Sequence, residues 1–79
     1  MNYKSVKKKT ITKYIMRNGF VFVGGKSHDK YVKKDADDRS MPIIVPRHKM
    51  ISPGVVDNIS KTLVDEYGFD IKEVKNNLK

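Results

Sequence analysis

Cysteine and tryptophan are both absent from this 79-residue chain. Without cysteine there is no disulfide and no thiolate metal site to supplement a small core. The same absence fits a reducing, cytoplasmic setting. Long apolar runs are missing too. Residues 20–23 and 43–45 are the main uninterrupted stretches, far short of the ~20 residues a spanning helix needs. No secretory core is visible either, so neither a membrane nor an export route is expected. Histidine is scarce, with only His28 and His48. Two histidines without a cysteine make a poor metal set, and no metal is expected. The run Asp35-Ala36-Asp37-Asp38 looks superficially like a calcium loop, but the glycine and closing glutamate of such a loop are not at the right spacing. Turn chemistry accounts for it better.

Acidic residues are the last scarcity. Nine stand against seventeen Lys and Arg, a net charge of +8. Charge of this kind speaks about partners rather than fold. Nucleic acid is the leading partner class, followed by an acidic protein. An anionic lipid surface comes third, because no amphipathic stretch has the apolar face that membrane binding uses.

At this length the chain makes one domain over residues 1–79, and a domain so small buries only ~60% of its unfolded surface. Residues 1–8 form a basic leader with Lys4, Lys7 and Lys8, continued by Lys9. It reads either as a solvated, partly frayed terminus or as an arm that contacts phosphates. Ile11, Tyr14 and Ile15 then form one helical stripe. That helix starts at an N-cap on Ser5 or Thr10 and stops at Asn18-Gly19. Residues 20–23 are a β-rich run, and Gly24-Gly25 allow a tight reversal. A second strand covers residues 28–33, with His28, Lys30 and Val32 on one face and Asp29, Tyr31 and Lys33 on the other. A polar loop, residues 34–40, leads to a third strand over residues 41–45. Pro42 and Pro46 fence it and mark it as short or at an edge. Ser52-Pro53 opens a long helix whose stripe is Val56, Ile59, Leu63 and Tyr67, and Gly68 ends it. Asp70 and Glu73 suggest a capping box for a last helix, residues 71–78.

The order α-β-β-β-α-(α) predicts an α+β two-layer domain: a three-stranded antiparallel sheet with helices on one face. The other face keeps apolar groups, including Val32 and Ile44, and such a patch points to a protein interface.

The chemistry concentrates in residues 24–31. Gly24, Gly25, Lys26 and Ser27 have the flavour of a phosphate-binding loop. The G-x-x-x-x-G-K-[ST] spacing is missing, so no nucleotide cofactor is expected, and the Ser27 hydroxyl serves the turn. His28 follows, between Lys26 and Lys30. An imidazole exchanges protons near neutrality, and RNA is cut without metal when a base activates the 2′-hydroxyl and cations steady the phosphate. Arg47 and His48 form a second basic group, read as a solvated connector, as phosphate contacts, or for His48 as an acid complementary to His28.

The run Asn18-Gly19-Phe20, then Ser27-His28-Asp29-Lys30-Tyr31, then Val45-Pro46-Arg47-His48, then Ser52-Pro53-Gly54 followed by Ile59, resembles the HicA family of toxin mRNA interferases. The resemblance extends over roughly residues 9–74. It implies a fold like the double-stranded RNA-binding domain and a metal-independent endoribonuclease without cofactor. It also implies mRNA as substrate, growth arrest as outcome, and a HicB-type antitoxin as the partner that covers the active site. His28 matches the family's catalytic histidine. Lys26, Lys30, Arg47 and His48 are then the expected phosphate contacts, with Gly24, Gly25 and Ser27 positioning the histidine. Lys26 stands where the family usually has glycine, and the second helix runs about a turn further, to Gly68. The competing expectations are a non-catalytic RNA-binding module of the same fold and a basic adaptor for an acidic protein.

Overall fold

A computed structural model describes residues 3–35 and 41–79. The elements in order are β1 (Val6–Lys7), α1 (Lys8–Arg17), β2 (Phe20–Gly24), β3 (His28–Lys33), β4 (Ile43–Pro46), β5 (Met50–Ile51), α2 (Pro53–Tyr67) and α3 (Ile71–Asn77). Strands β2, β3 and β4 form a three-stranded antiparallel sheet in that order. The chain is therefore a small α+β domain, as the alternation of patterns predicts.

Alternation sets the inward side chains of β3 and β4, whereas along β2 only Phe20 is buried and Val21, Phe22 and Val23 are all exposed. Phe20, Tyr31, Ile43 and Val45 are buried, whereas Val21, Val23, Lys30 and Ile44 are exposed. The inward set meets Ile11, Tyr14 and Ile15 of α1 and Val56, Ile59 and Leu63 of α2 in one cluster. Helix α1 packs on β2 and α2 on β4, with α3 set against both helices. Val74 and Leu78 fill the gap that α3 closes. Each fully buried aliphatic side chain of this kind contributes about 1.5–3 kcal/mol. Phe20 stacks edge-on with Tyr67 at 5.0 Å and Phe69 at 6.3 Å between ring centroids, which pins the end of α2 to the start of the sheet.

Several expectations need correction. Neither Ser5 nor Thr10 caps α1. The helix starts at Lys8, directly after extended Lys7, with no side-chain cap. The reason is the leader itself. Val6 and Lys7 pair antiparallel with Ile51 and Met50, and this second, two-stranded sheet fixes where the helix can begin. The leader is thus docked: Val6 is buried, and the Tyr3 hydroxyl hydrogen-bonds the Ser60 hydroxyl on α2. The third strand runs over Ile43–Pro46 rather than from residue 41. It lies at a sheet edge, where a proline without an N–H can be accommodated. Pro53 opens α2 as expected, but the Ser52 side chain makes no cap bond. Asp70 does cap α3, accepting from the Glu73 backbone N–H at 3.3 Å. The expected turn over Asp35–Asp38 and the rest of the 34–40 loop fall largely outside the described residues. No helix among the described residues is long and apolar enough to cross a membrane.

Candidate active site and its basic surround

Strand β2 ends and β3 begins through Gly25, Lys26 and Ser27. The register slips between Phe22 and Gly24, leaving Val23 as the extra residue of a bulge, and Gly24 lies opposite Lys30. Gly24 and Gly25 have φ values of +88° and +156°. At Gly25 there is no space for a side chain. A Cβ there would lie 1.9 Å from the His28 carbonyl oxygen. The turn folds this tightly onto β3 only because the residue is glycine.

His28 is the first residue of β3 and lies opposite Pro46. It is exposed and shares its sheet face with Lys30, as the alternation predicts. His28 and His48 line the same groove of about 330 Å³, together with Pro46, Met50, Ser52 and Val55. A second groove of about 300 Å³ runs on from His28 and Pro46 past Met41, Ile44 and Asn58. Neither imidazole has a side-chain hydrogen-bond partner among the described residues, so both are available to a ligand. Lys26 and Ser27 are exposed in the turn.

Arg47 sits differently from the expected phosphate contact. Its Nε donates to Asp29 Oδ1 at 2.8 Å, its Nη1 to the Lys26 carbonyl at 3.1 Å and its Nη2 to the Gly25 carbonyl at 2.8 Å. The guanidinium is a fork that fastens the glycine turn to the start of β3. A phosphate therefore meets only what remains of its donor set.

Asp29 is the residue the pattern did not single out. It accepts from Arg47 on one oxygen and from the Lys8 ammonium on the other. Two segments distant in sequence converge on it, the first turn of α1 and the connector after β4, and Arg47 of that connector also holds the adjacent β2–β3 turn. The signal was present in part, since alternation places Asp29 on the helix-covered face beside Tyr31. A carboxylate there requires cations. The Lys8 hydrogen bond, and after it the Arg47 bond, hold the Asp29 carboxyl below its ordinary pKa. A group depressed in this way adds stability that is fully present above its unfolded pKa, near 4, and that is lost as pH falls through the lower folded value. Asp29→Asn is expected to lower the melting temperature at neutral pH. Its deficit should then shrink as pH drops below about 4, because the parent loses the same bonds. Thermal melts of both chains across that range test this, and parallel curves would contradict it.

Lys8 also belongs to a cleft of about 560 Å³ on the helix side of the sheet. Its walls are Lys7, Lys8, Lys9, Thr12, Tyr31 and Lys49. Burial, more than the neighbouring Asp29 charge, raises the pKa of the Tyr31 phenol. Among the described residues no three His, Asp or Glu side chains converge as a metal-binding group.

Comparison of the chain with protein-family models, with curated proteins and with solved structures finds no match.

Proposed function

We propose that this chain is a metal-independent endoribonuclease of the HicA type, the toxin of a toxin–antitoxin pair. Its fold is then a variant of the double-stranded RNA-binding domain. The observation that carries this reading is the groove lined by both histidines of a strongly basic chain. Paired imidazoles next to lysines are what in-line RNA cleavage asks for.

His28 takes the proton from a ribose 2′-hydroxyl. The 2′-oxygen then bonds to phosphorus as the bond from phosphorus to the 5′-oxygen breaks. His48, as imidazolium, gives its proton to that departing oxygen. The products are a 2′,3′-cyclic phosphate and a 5′-hydroxyl, so no water or co-reactant enters the first step. Lys26 and Lys30 flank His28 and steady the charge that builds on the phosphate. Arg47, with Gly24, Gly25 and Ser27, holds the turn that presents His28. The second groove, with Met41, Ile44 and Val55 in its walls, suits the flat face of a nucleobase. A HicB-type antitoxin would cover this region. The exposed apolar side chains Val21, Phe22 and Val23 of β2 and Ile44 of β4 offer it a surface with the character of an interface core.

The purified chain, incubated with mRNA in excess chelator, is expected to release fragments ending in 2′,3′-cyclic phosphate. RNA that is bound but stays intact would replace this reading with that of a non-catalytic RNA-binding module of the same fold.

A further inference from the structure

We propose that the lysine-walled cleft on the helix side of β3 is a second RNA contact, one that grips backbone phosphates away from the cleavage point. The inference rests on the reading of the chain as an RNA-acting protein and names how that RNA is held. The histidine groove does not involve Lys7, Lys9 or Lys49.

The cleft is built, not a chance gathering of surface lysines. Lys7 lies in β1, Lys8 and Lys9 in the first turn of α1, and Lys49 immediately before β5. The β1–β5 pairing and a backbone bond from the Lys8 N–H to the Lys49 carbonyl, 2.9 Å, hold the two segments together. Four lysine side chains thereby line one space of about 560 Å³. Of these four lysines only Lys8 has a carboxylate partner among the described residues, Asp29. The first turn of α1 contains no acidic residue, although helix starts favour negative charge there. The lysines repel one another and the helix dipole, and an anion in the cleft relieves both.

The chemistry favours nucleic acid over an acidic protein. Protein interfaces are anchored by apolar and aromatic side chains at their centre. The walls here are lysines and a threonine around the edge of one buried tyrosine, and the exposed ring of Phe22, 5.6 Å from Tyr31 between centroids, offers a base a stacking face beside them. Lysines are point charges that suit phosphates without reading sequence. Position supports the same conclusion. Asp29, which holds Lys8, follows His28 directly on β3, and Lys49 follows His48. The cleft and the histidine groove thus lie back to back across two short pieces of chain. An RNA strand crossing the 47–49 connector reaches both. Binding therefore needs nucleotides beyond the linkage that is cut.

The test is binding of single-stranded RNA by fluorescence anisotropy over a series of salt concentrations, with His28→Ala in every chain so that nothing is cut. The triple variant Lys7→Gln, Lys9→Gln, Lys49→Gln is compared with Lys72→Gln, Lys75→Gln, Lys79→Gln on and after α3, which changes charge equally. The cleft variant is expected to bind about 100-fold more weakly at about 0.1 M salt, with a salt slope shallower by about 2. The α3 variant should retain most of the affinity. Equal losses in the two variants would overturn the proposal, because only net charge would then matter. So would a cleft variant that binds RNA normally but no longer binds polyglutamate, which would make the cleft a protein site. Circular dichroism melts exclude unfolding as the cause. If the chain with His28 intact fails to cut RNA, the nuclease reading falls, while the binding comparison still decides the cleft.

Discussion

His28→Ala is expected to slow RNA cleavage by about 10²–10⁴-fold, the range over which a positioned acid–base group contributes. Stability should change by no more than about 0.5 kcal/mol. The two expectations come from the same facts. His28 is exposed, and its side chain makes no hydrogen bond among the described residues, so its removal leaves neither a cavity nor an orphaned partner. Its place at the mouth of both grooves makes the imidazole costly to lose for chemistry alone. Single-turnover cleavage with purified chains measures the first effect, and a thermal melt the second. Induction of the parent chain should arrest growth, and induction of the variant should not. Cleavage by the variant at the parent rate would remove His28 from the mechanism. His48→Ala, tested alongside, is expected to lose part of the same factor, and the double variant less than the product of the two, because both act in one step.

Gly25→Ala should be nearly as damaging, by a different route. The new methyl would have to occupy space 1.9 Å from the His28 carbonyl oxygen, which belongs to the strand backbone and cannot rotate away. Either the turn opens or the start of β3 moves. Backbone strain of this sort costs about 1–3 kcal/mol before the clash is counted. It also breaks the bond from Arg47 to the Gly25 carbonyl. A displacement of about 1 Å at a reacting group is worth about 100-fold in rate, so cleavage should fall by that factor in chains that still fold. Gly24→Ala is the built-in comparison. Its φ is +88°, but nothing lies within 4 Å of a Cβ there. It should cost only the left-handed backbone penalty of about 1–2 kcal/mol and leave the rate nearly intact. Urea melts and cleavage rates for the pair decide the matter. Equal behaviour of the two variants would mean that the turn does not position His28.

Periodicity alone identified the three main strands, the long helix and the short last one, because each carries an apolar repeat that must find the core. It also placed His28 and Lys30 on the open face. What it could not reveal depended on contacts between distant segments. Strands β1 and β5 have two residues each, too few for a repeat to register. The start of α1 is hidden from the pattern for that reason, since a strand pairing rather than a cap at Ser5 or Thr10 sets it. Arg47 resembled a phosphate ligand by composition. Its use on two backbone carbonyls leaves no trace in sequence, because every residue has a carbonyl. Asp29 was half legible, as a carboxylate on the inward face, but its partners come from residues 8 and 47. The lysine cleft needed the leader to dock before Lys49 could join Lys7, Lys8 and Lys9.

The docked leader also has a consequence in time. The Tyr3–Ser60 bond joins positions 57 residues apart, and the Lys8–Asp29 and Arg47–Asp29 links close loops of 21 and 18. Contacts this distant form late, after the entropy of closing those loops has been met. The histidine groove needs Val55 for a wall, and the clamp on its turn needs Arg47. A growing or truncated chain that ends before α2 contains His28 but not the groove around it. If the chain is the nuclease proposed above, its competence is tied to completion of the fold, and a half-made chain is harmless to the messages around it.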